Sequence, residues 1–212
     1  MAAAHPALSI DDIMAAAPVI PVLVIERVED AVPIAEALVA GGLPVLEVTL
    51  RTHAALGAIQ AMRAVPGAIV GAGTVLSPDQ FRYAADAGAR FAVSPGLTRP
   101  LAEAARDVHL PWLPGVATAS EVMRALDLGF TRLKFFPAMA AGGLPALKAL
   151  SAVFGDIRFC PTGGITQDNA ADWLAFPSVA CVGGSWLVPS DRPVDPKAIK
   201  VRAKAAAALS RA

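Results

Sequence analysis

From Pro44 to Gly73 the chain reads PVLEVTLRTHAALGAIQAMRAVPGAIVGAG. A short β-branched run, Pro44–Leu50, is followed by an Ala/Leu-rich amphipathic stretch, Ala54–Ala64, and then by a second short run, Ala68–Gly73. β-Branched residues pack well in strands, whereas Ala and unbranched side chains favour helices. Strand, helix and strand in that order predict parallel pairing, because a crossover helix lets the second strand run in the same direction as the first.

The same alternation continues on both sides. Strands are predicted at Val19–Ile25, Pro44–Leu50, Ala68–Gly73, Phe91–Ser94, Trp112–Val116, Arg132–Phe136, Arg158–Pro161 and Val179–Val182. Helices are predicted at Glu29–Ala40, Ala54–Ala64, Pro78–Ala87, Arg99–Arg106, Ala119–Leu128, Leu144–Ala152, Gln167–Ala175 and Pro196–Leu209. Alternating units of this number predict an α/β fold of the (β/α)8 TIM-barrel type, here preceded by an N-terminal helical segment. An open doubly wound sheet is the alternative, but no Gly-x-Gly-x-x-Gly follows the first strand. Ala40-Gly41-Gly42 and Ala87-Gly88 read as helix ends just before the next strand. No linker interrupts the pattern, so a single domain over residues 1–212 is expected.

Active sites of such barrels lie at the C-terminal ends of the strands, and polar residues of this chain collect there. In the second strand a period of two places Glu47, Thr49 and Arg51 on one face and Leu46, Val48 and Leu50 on the other. The apolar face must meet the helices, which directs Glu47 and Arg51 into the barrel or its mouth; an internal Glu47–Arg51 salt bridge is the structural alternative. Thr74 follows the third strand and offers a hydroxyl at the rim, or caps the helix that starts near Pro78. Thr98 and Thr118 read as N-caps.

Lys134 lies in Arg132-Leu133-Lys134-Phe135-Phe136-Pro137, an otherwise apolar strand. Little water is available there to solvate an ammonium, so the neutral amine is favoured. A neutral amine is the nucleophile that condenses with a carbonyl substrate. Otherwise the stem packs and the ammonium reaches an edge or pairs with a carboxylate. The last two strands end in Thr162-Gly163-Gly164 and Gly183-Gly184-Ser185. Glycine turns after strands seven and eight are where barrels hold a phosphate on backbone N–H groups, and Ser185 adds a donor.

Hydrophobic residues make up 55% of the 212, enough for a well-packed core, and 18 basic residues balance 18 acidic ones. That balance argues against a nucleic-acid or membrane-surface partner. No apolar run is as long as a membrane span, and Met1 to Ile20 lacks the pattern of a signal peptide. Cys160 and Cys181 have no CxxC spacing and read as buried free thiols, in keeping with a cytoplasmic setting. His5, His53 and His109 show no metal-ligand or triad spacing; His53 is expected on the first turn of a helix. Trp112, Trp173 and Trp186 are scattered, as packing residues are.

Taken together, Leu46–Thr52, Val70–Leu76, Ser94-Pro95-Gly96, Lys134–Ala138, Arg158–Ile165 and Gly183–Leu187 resemble the class I 2-keto-3-deoxy-6-phosphogluconate (KDPG) and 4-hydroxy-2-oxoglutarate (KHG) aldolases, from about Pro18 to Pro189. The resemblance implies that Lys134 forms the Schiff base and Glu47 is the general acid/base. It implies that Arg51 binds the pyruvyl carboxylate with Thr74 and Pro95 beside it, and that Phe136 lines the pocket. Thr162, Gly163, Gly164, Gly184 and Ser185 would hold the distal phosphate and polar chain. A (β/α)8 homotrimer that needs no metal or other cofactor and acts on a phosphorylated 2-keto-3-deoxy sugar acid, releasing pyruvate, is also implied. The galactonate epimer and unphosphorylated 4-hydroxy-2-oxoglutarate are alternative substrates. A non-catalytic phosphosugar-binding barrel and a non-covalent synthase or isomerase are alternative functions. Where many relatives carry an acid after Phe-Pro-Ala this chain has Met139, and altered loop chemistry is expected there.

Overall fold

The computed structural model describes residues 8–190 and 193–212; His5 and the Ala-rich start of the chain lie outside them. Helix α1 (Ile10–Ala15) leads into β1 (Val19–Leu23), and a 3-10 turn (Val28–Asp30) into α2 (Ala31–Ala40). Then come β2 (Val45–Thr49), α3 (Ala55–Met62), β3 (Ile69–Gly73), α4 (Pro78–Asp86), β4 (Ala92–Val93) and α5 (Arg99–Asp107). β5 (Trp112–Leu113), β6 (Gly115–Val116), α6 (Ala119–Asp127), β7 (Arg132–Phe135) and α7 (Gly143–Val153) follow. The chain ends with β8 (Arg158–Pro161), α8 (Ala170–Leu174), β9 (Val182–Gly184) and α9 (Pro196–Ala207).

This is an α/β fold on parallel strands, as the alternation predicts. Among the described residues the strands form a six-stranded sheet, ordered β5-β4-β3-β2-β1-β9, and a three-stranded sheet, β6-β7-β8. Every named pairing is parallel. Two isolated parallel bridges, Phe159 with Val179 and Thr162 with Gly183, connect β8 to the segment that becomes β9 and to β9 itself. The expected strand Trp112–Val116 is divided at Pro114, which has no N–H for a ladder. β5 therefore pairs with β4, and β6 pairs with β7. The last strand begins later than expected, at Val182, because Val179 makes only an isolated bridge. Helix α8 is shorter than Gln167–Ala175, since Asn169 accepts from the Thr166 N–H and donates to the Gly164 carbonyl in a turn of its own.

Thr98 and Thr118 cap α5 and α6 as expected. The cap of α4 is Ser77, not Thr74. His53 lies in the turn before α3 rather than on its first turn.

The period-two reading of β2 decides where the core divides. Leu46 and Val48 join the large cluster between strands and helices. Val45, on the face of Glu47, packs with Ile20, Phe91, Val93, Leu113, Cys160 and Cys181 on the other side of the strands. Ile13 and Met14 of α1 complete that second cluster. A Ser9–Asp12 capping box starts α1, Asp11 pairs with Arg132 at the start of β7, and Arg211 donates to the carbonyls of Met14 and Ala15. Helix α1 thus covers the N-terminal ends of the strands. Full burial of side chains such as Ile13 and Met14 is worth about 1.5–3 kcal/mol each. The opposite, C-terminal ends carry the polar residues.

No described helix is long and apolar enough to cross a membrane.

Candidate active site

Lys134 and Glu47 meet at the centre of this polar end. The Lys134 Nζ donates to Glu47 Oε1 at 3.3 Å, and the two side chains are only 6% and 4% exposed. The carboxylate partners the ammonium across 87 residues of sequence, so the pair is Glu47–Lys134 and not Glu47–Arg51. Each charge loses several kcal/mol of hydration on burial, and the mutual attraction rarely returns more than that. A hydrophobic pair of the same volume would serve stability as well, which marks these two as candidates for chemistry. Gly73 makes the arrangement possible: a Cβ there would stand 2.3 Å from Glu47 Oε1. The Phe136 ring lies beside the amine, its centroid 5.2 Å from Nζ.

Arg51 lies just beyond, exposed at the mouth, with its Nε donating to Thr49 Oγ1 at 3.2 Å. The buried Thr49 hydroxyl in turn donates to the Leu23 carbonyl at the end of β1, at 2.8 Å. Thr74 directly follows β3 in the left-handed region, with φ at 58°. A β-branched residue is strained in that region, so local preference does not account for its conformation. Pro95 follows β4 in a turn held by Ser94, whose hydroxyl donates to the Gly96 carbonyl and accepts from the Trp112 indole. A Cβ at Gly115 would lie 2.2 Å from the Pro95 carbonyl oxygen, so β6 approaches that turn at backbone distance.

The two glycine turns are brought side by side by the Thr162–Gly183 bridge. Thr162 is buried just past β8, and a Cβ at Gly183 would stand 2.3 Å from its Oγ1. Gly163 and Gly164 have φ of 101° and 77°. Their turn is laced to the turn after β7: Ala138 N–H donates to the Thr162 carbonyl and Met139 N–H to that of Gly163. Gly184 is covered by the Trp186 ring, and Ser185 is exposed beside it. Met139 is half exposed and lies against Gly164, so an uncharged thioether flanks this turn. Arg51, Thr74, Pro95, Phe136, Thr162 and Ser185 thus lie just past the C-terminal ends of parallel strands.

Thr49 and Ser94 are the residues whose contribution the sequence reading left unassigned. Thr49 was visible on the Glu47 face, but its hydrogen bonds depend on where β1 and Arg51 lie. Trp112 and Trp173 are buried, and Trp112 meets Phe81 and Phe130 edge-on. No grouping of His, Cys, Asp and Glu suited to a metal ion occurs among the described residues. Cys160 and Cys181 are buried free thiols. A hydrogen bond to Cys160, and then burial, push the Cys181 thiol well above its ordinary range. A protonated thiol does not alkylate. At mildly alkaline pH iodoacetamide is expected to leave Cys181 unlabelled in the native protein and to label it fully in urea. Peptide mass spectra check this; complete native labelling would contradict it.

The sequence model of the KDPG and KHG aldolase family matches residues 10–201. The 2-keto-3-deoxy-6-phosphogluconate aldolase of Zymomonas mobilis ZM4, whose structure contains 3-phosphoglycerate, is 58% identical; the match covers 96% of this chain and 97% of that one, with a TM-score of 0.93. The Legionella pneumophila KDPG aldolase, with pyruvate captured as a covalent carbinolamine, is 49% identical over 96% of this chain and 98% of its own, with a TM-score of 0.88. The KHG/KDPG aldolase of Escherichia coli is 55% identical over 184 residues, 86% of each chain. With a family match over nearly its whole length and relatives of this similarity, the chain belongs to the KDPG and KHG aldolase family.

Proposed function

We propose that this protein is a Schiff-base (class I) aldolase that cleaves 2-keto-3-deoxy-6-phosphogluconate to pyruvate and glyceraldehyde 3-phosphate, the aldol step of the Entner-Doudoroff pathway. The observation that carries the proposal is the buried pair of Lys134 and Glu47, 3.3 Å apart at the C-terminal ends of parallel strands. Such a pair contains the nucleophile and, within reach of it, the group that takes its proton. The carbinolamine of the Legionella relative is the product of an amine adding to the ketone of pyruvate.

Arg51 clamps the substrate carboxylate by charge-assisted hydrogen bonds. Thr74 and Pro95 border that end, and Phe136 forms the wall beside the amine. Thr162, Gly163, Gly164, Gly184 and Ser185 receive the phosphate end; the 3-phosphoglycerate in the Zymomonas relative supports a small phosphorylated ligand. With both ends held, the scissile bond is positioned over the lysine.

Lys134 gives a proton to Glu47 and its lone pair attacks C2, giving a carbinolamine. Glu47 gives that proton to the carbinolamine hydroxyl, which leaves as water, and the iminium remains with Glu47 again a carboxylate. Glu47, directly or through a water, takes the C4 hydroxyl proton. The C3–C4 bonding electrons flow to the iminium nitrogen, and glyceraldehyde 3-phosphate leaves. Glu47 returns a proton to C3 of the enamine, and hydrolysis releases pyruvate and the amine. No metal or organic cofactor takes part in these steps.

The fold proposed for this chemistry is one (β/α)8 barrel over residues 1–212. The bridges from β8 to β9 and the continuity of β5 with β6 through Pro114 support closure of the two sheets into one ring. A homotrimer follows from the family resemblance, and exposed Leu76 and Tyr83 offer apolar surface for contact between subunits. The buried free thiols fit a cytoplasmic setting.

The test is incubation with pyruvate and sodium borohydride, followed by intact and peptide mass spectra. A reduced pyruvyl adduct on Lys134 is expected; no adduct on folded protein would overturn the mechanism. Cleavage of unphosphorylated 4-hydroxy-2-oxoglutarate by the same residues is a second reading, favoured by the 55% identical Escherichia coli relative named for both activities. Relative kcat/KM on the two substrates separates them.

A further inference from the structure

We infer that Thr49 is the positioning residue for the carboxylate clamp, setting the direction from which Arg51 addresses the keto acid. The inference rests on the reading of Arg51 as that clamp. A threonine hydroxyl has a single proton and two lone pairs. Here the proton is committed: Thr49 Oγ1 donates to the Leu23 carbonyl at 2.8 Å, in a buried position. The oxygen can therefore only accept along its other directions, and Arg51 Nε donates to it at 3.2 Å.

This has a geometric consequence for the guanidinium. A carboxylate can be held side-on by Nε and one terminal nitrogen, or end-on by the two terminal nitrogens. With Nε turned back to Thr49, the end-on fork is the one left for substrate. Arg51 is exposed and sits two residues beyond Thr49, in the turn that follows β2. Without the tether its long side chain would sample many rotamers before binding. The link to Leu23 adds a second element, because it sets the Arg51 fork relative to the end of β1 as well as to its own strand. Thr49 also shares its face with Glu47, so one strand carries the proton-transfer group and the anchor that orients the clamp.

The readout is half-saturation of borohydride trapping by pyruvate, compared with trapping by its uncharged methyl ester. Thr49→Val keeps the side-chain shape and removes the acceptor. Half-saturation by pyruvate is expected to rise about five- to tenfold, with the trapping rate at saturation nearly unchanged. Trapping by the ester should not move, and Thr49→Ser should restore the parent behaviour. In an Arg51→Lys background, which lacks Nε, Thr49→Val should add nothing further. If the valine variant does not fold, Thr49→Cys gives the same comparison, since a thiol accepts weakly.

Equal weakening of both probes would mean that Thr49 only maintains the strands, and overturns the inference. An unchanged pyruvate half-saturation in Thr49→Val also overturns it; if Arg51→Ala still raises that value, the clamp reading survives alone. An Arg51→Ala protein with parent half-saturation overturns the clamp and the inference together.

Discussion

Lys134→Ala abolishes turnover, by at least about four orders of magnitude in kcat, as removal of a covalent nucleophile does in enzymes where the step has been isolated. Among the described residues, the neighbours of Lys134 across the strands are Gly115 and Cys160 and the adjoining ring is Phe136, none of which carries an amine. Reduced pyruvyl adduct should disappear in the same variant. The substitution also leaves the Glu47 carboxylate buried without its partner, at a cost of about 3–5 kcal/mol in stability. Circular dichroism and a melting curve must therefore accompany the assay. Lys134→Met, which refills the volume of the stem, gives the same kinetic result with less strain on packing. Near-parent aldol cleavage by either folded variant would refute the role of Lys134.

Glu47→Gln lowers kcat by about 10²- to 10⁴-fold, the range expected when a positioned proton-transfer group is lost. The amide keeps the shape that Gly73 makes room for, and its oxygen still accepts from the lysine. It cannot take the proton that Lys134 must lose, nor the one from the C4 hydroxyl, nor return one to the enamine. Exchange of pyruvate methyl protons with deuterated water isolates the last of these steps. Exchange should fall with kcat, while adduct still accumulates on long exposure to borohydride. Parent-like exchange in Glu47→Gln would assign the protonation to another group. Aldol cleavage needs both proton steps, so these two residues carry the largest effects that any single substitution here is expected to have.

Much of this site can be read from local pattern, and what can be read is specific. Alternating side chains in Val45–Thr49 direct Glu47 away from the helices whatever the partner strand, because the pleat sets the period. Thr98 and Thr118 announce their helices, since an N-cap is satisfied within its own first turn. The order of strand ends puts the glycine turns last, and the proposal of a phosphate end there rests on that order. The expectations that failed were those in which a nearer local signal prevailed. Thr74 looks like a helix cap, but Ser77 takes that role, leaving Thr74 in a left-handed backbone at the rim. Trp112–Val116 reads as one strand, and Pro114 divides it.

The sequence by itself therefore determined the parallel α/β alternation, the face on which Glu47 and Thr49 lie, and the polar, glycine-rich character of the strand ends. These follow from backbone periods and turn chemistry that act within a few residues. Tertiary structure alone decided that Glu47 meets Lys134 rather than Arg51, that Thr49 joins Arg51 to the Leu23 carbonyl, and that Thr162 touches Gly183. Those contacts depend on which strands are neighbours and on the register between them. Register is set by the whole of the packed core, and a shift of one residue would turn every one of these side chains to the opposite face.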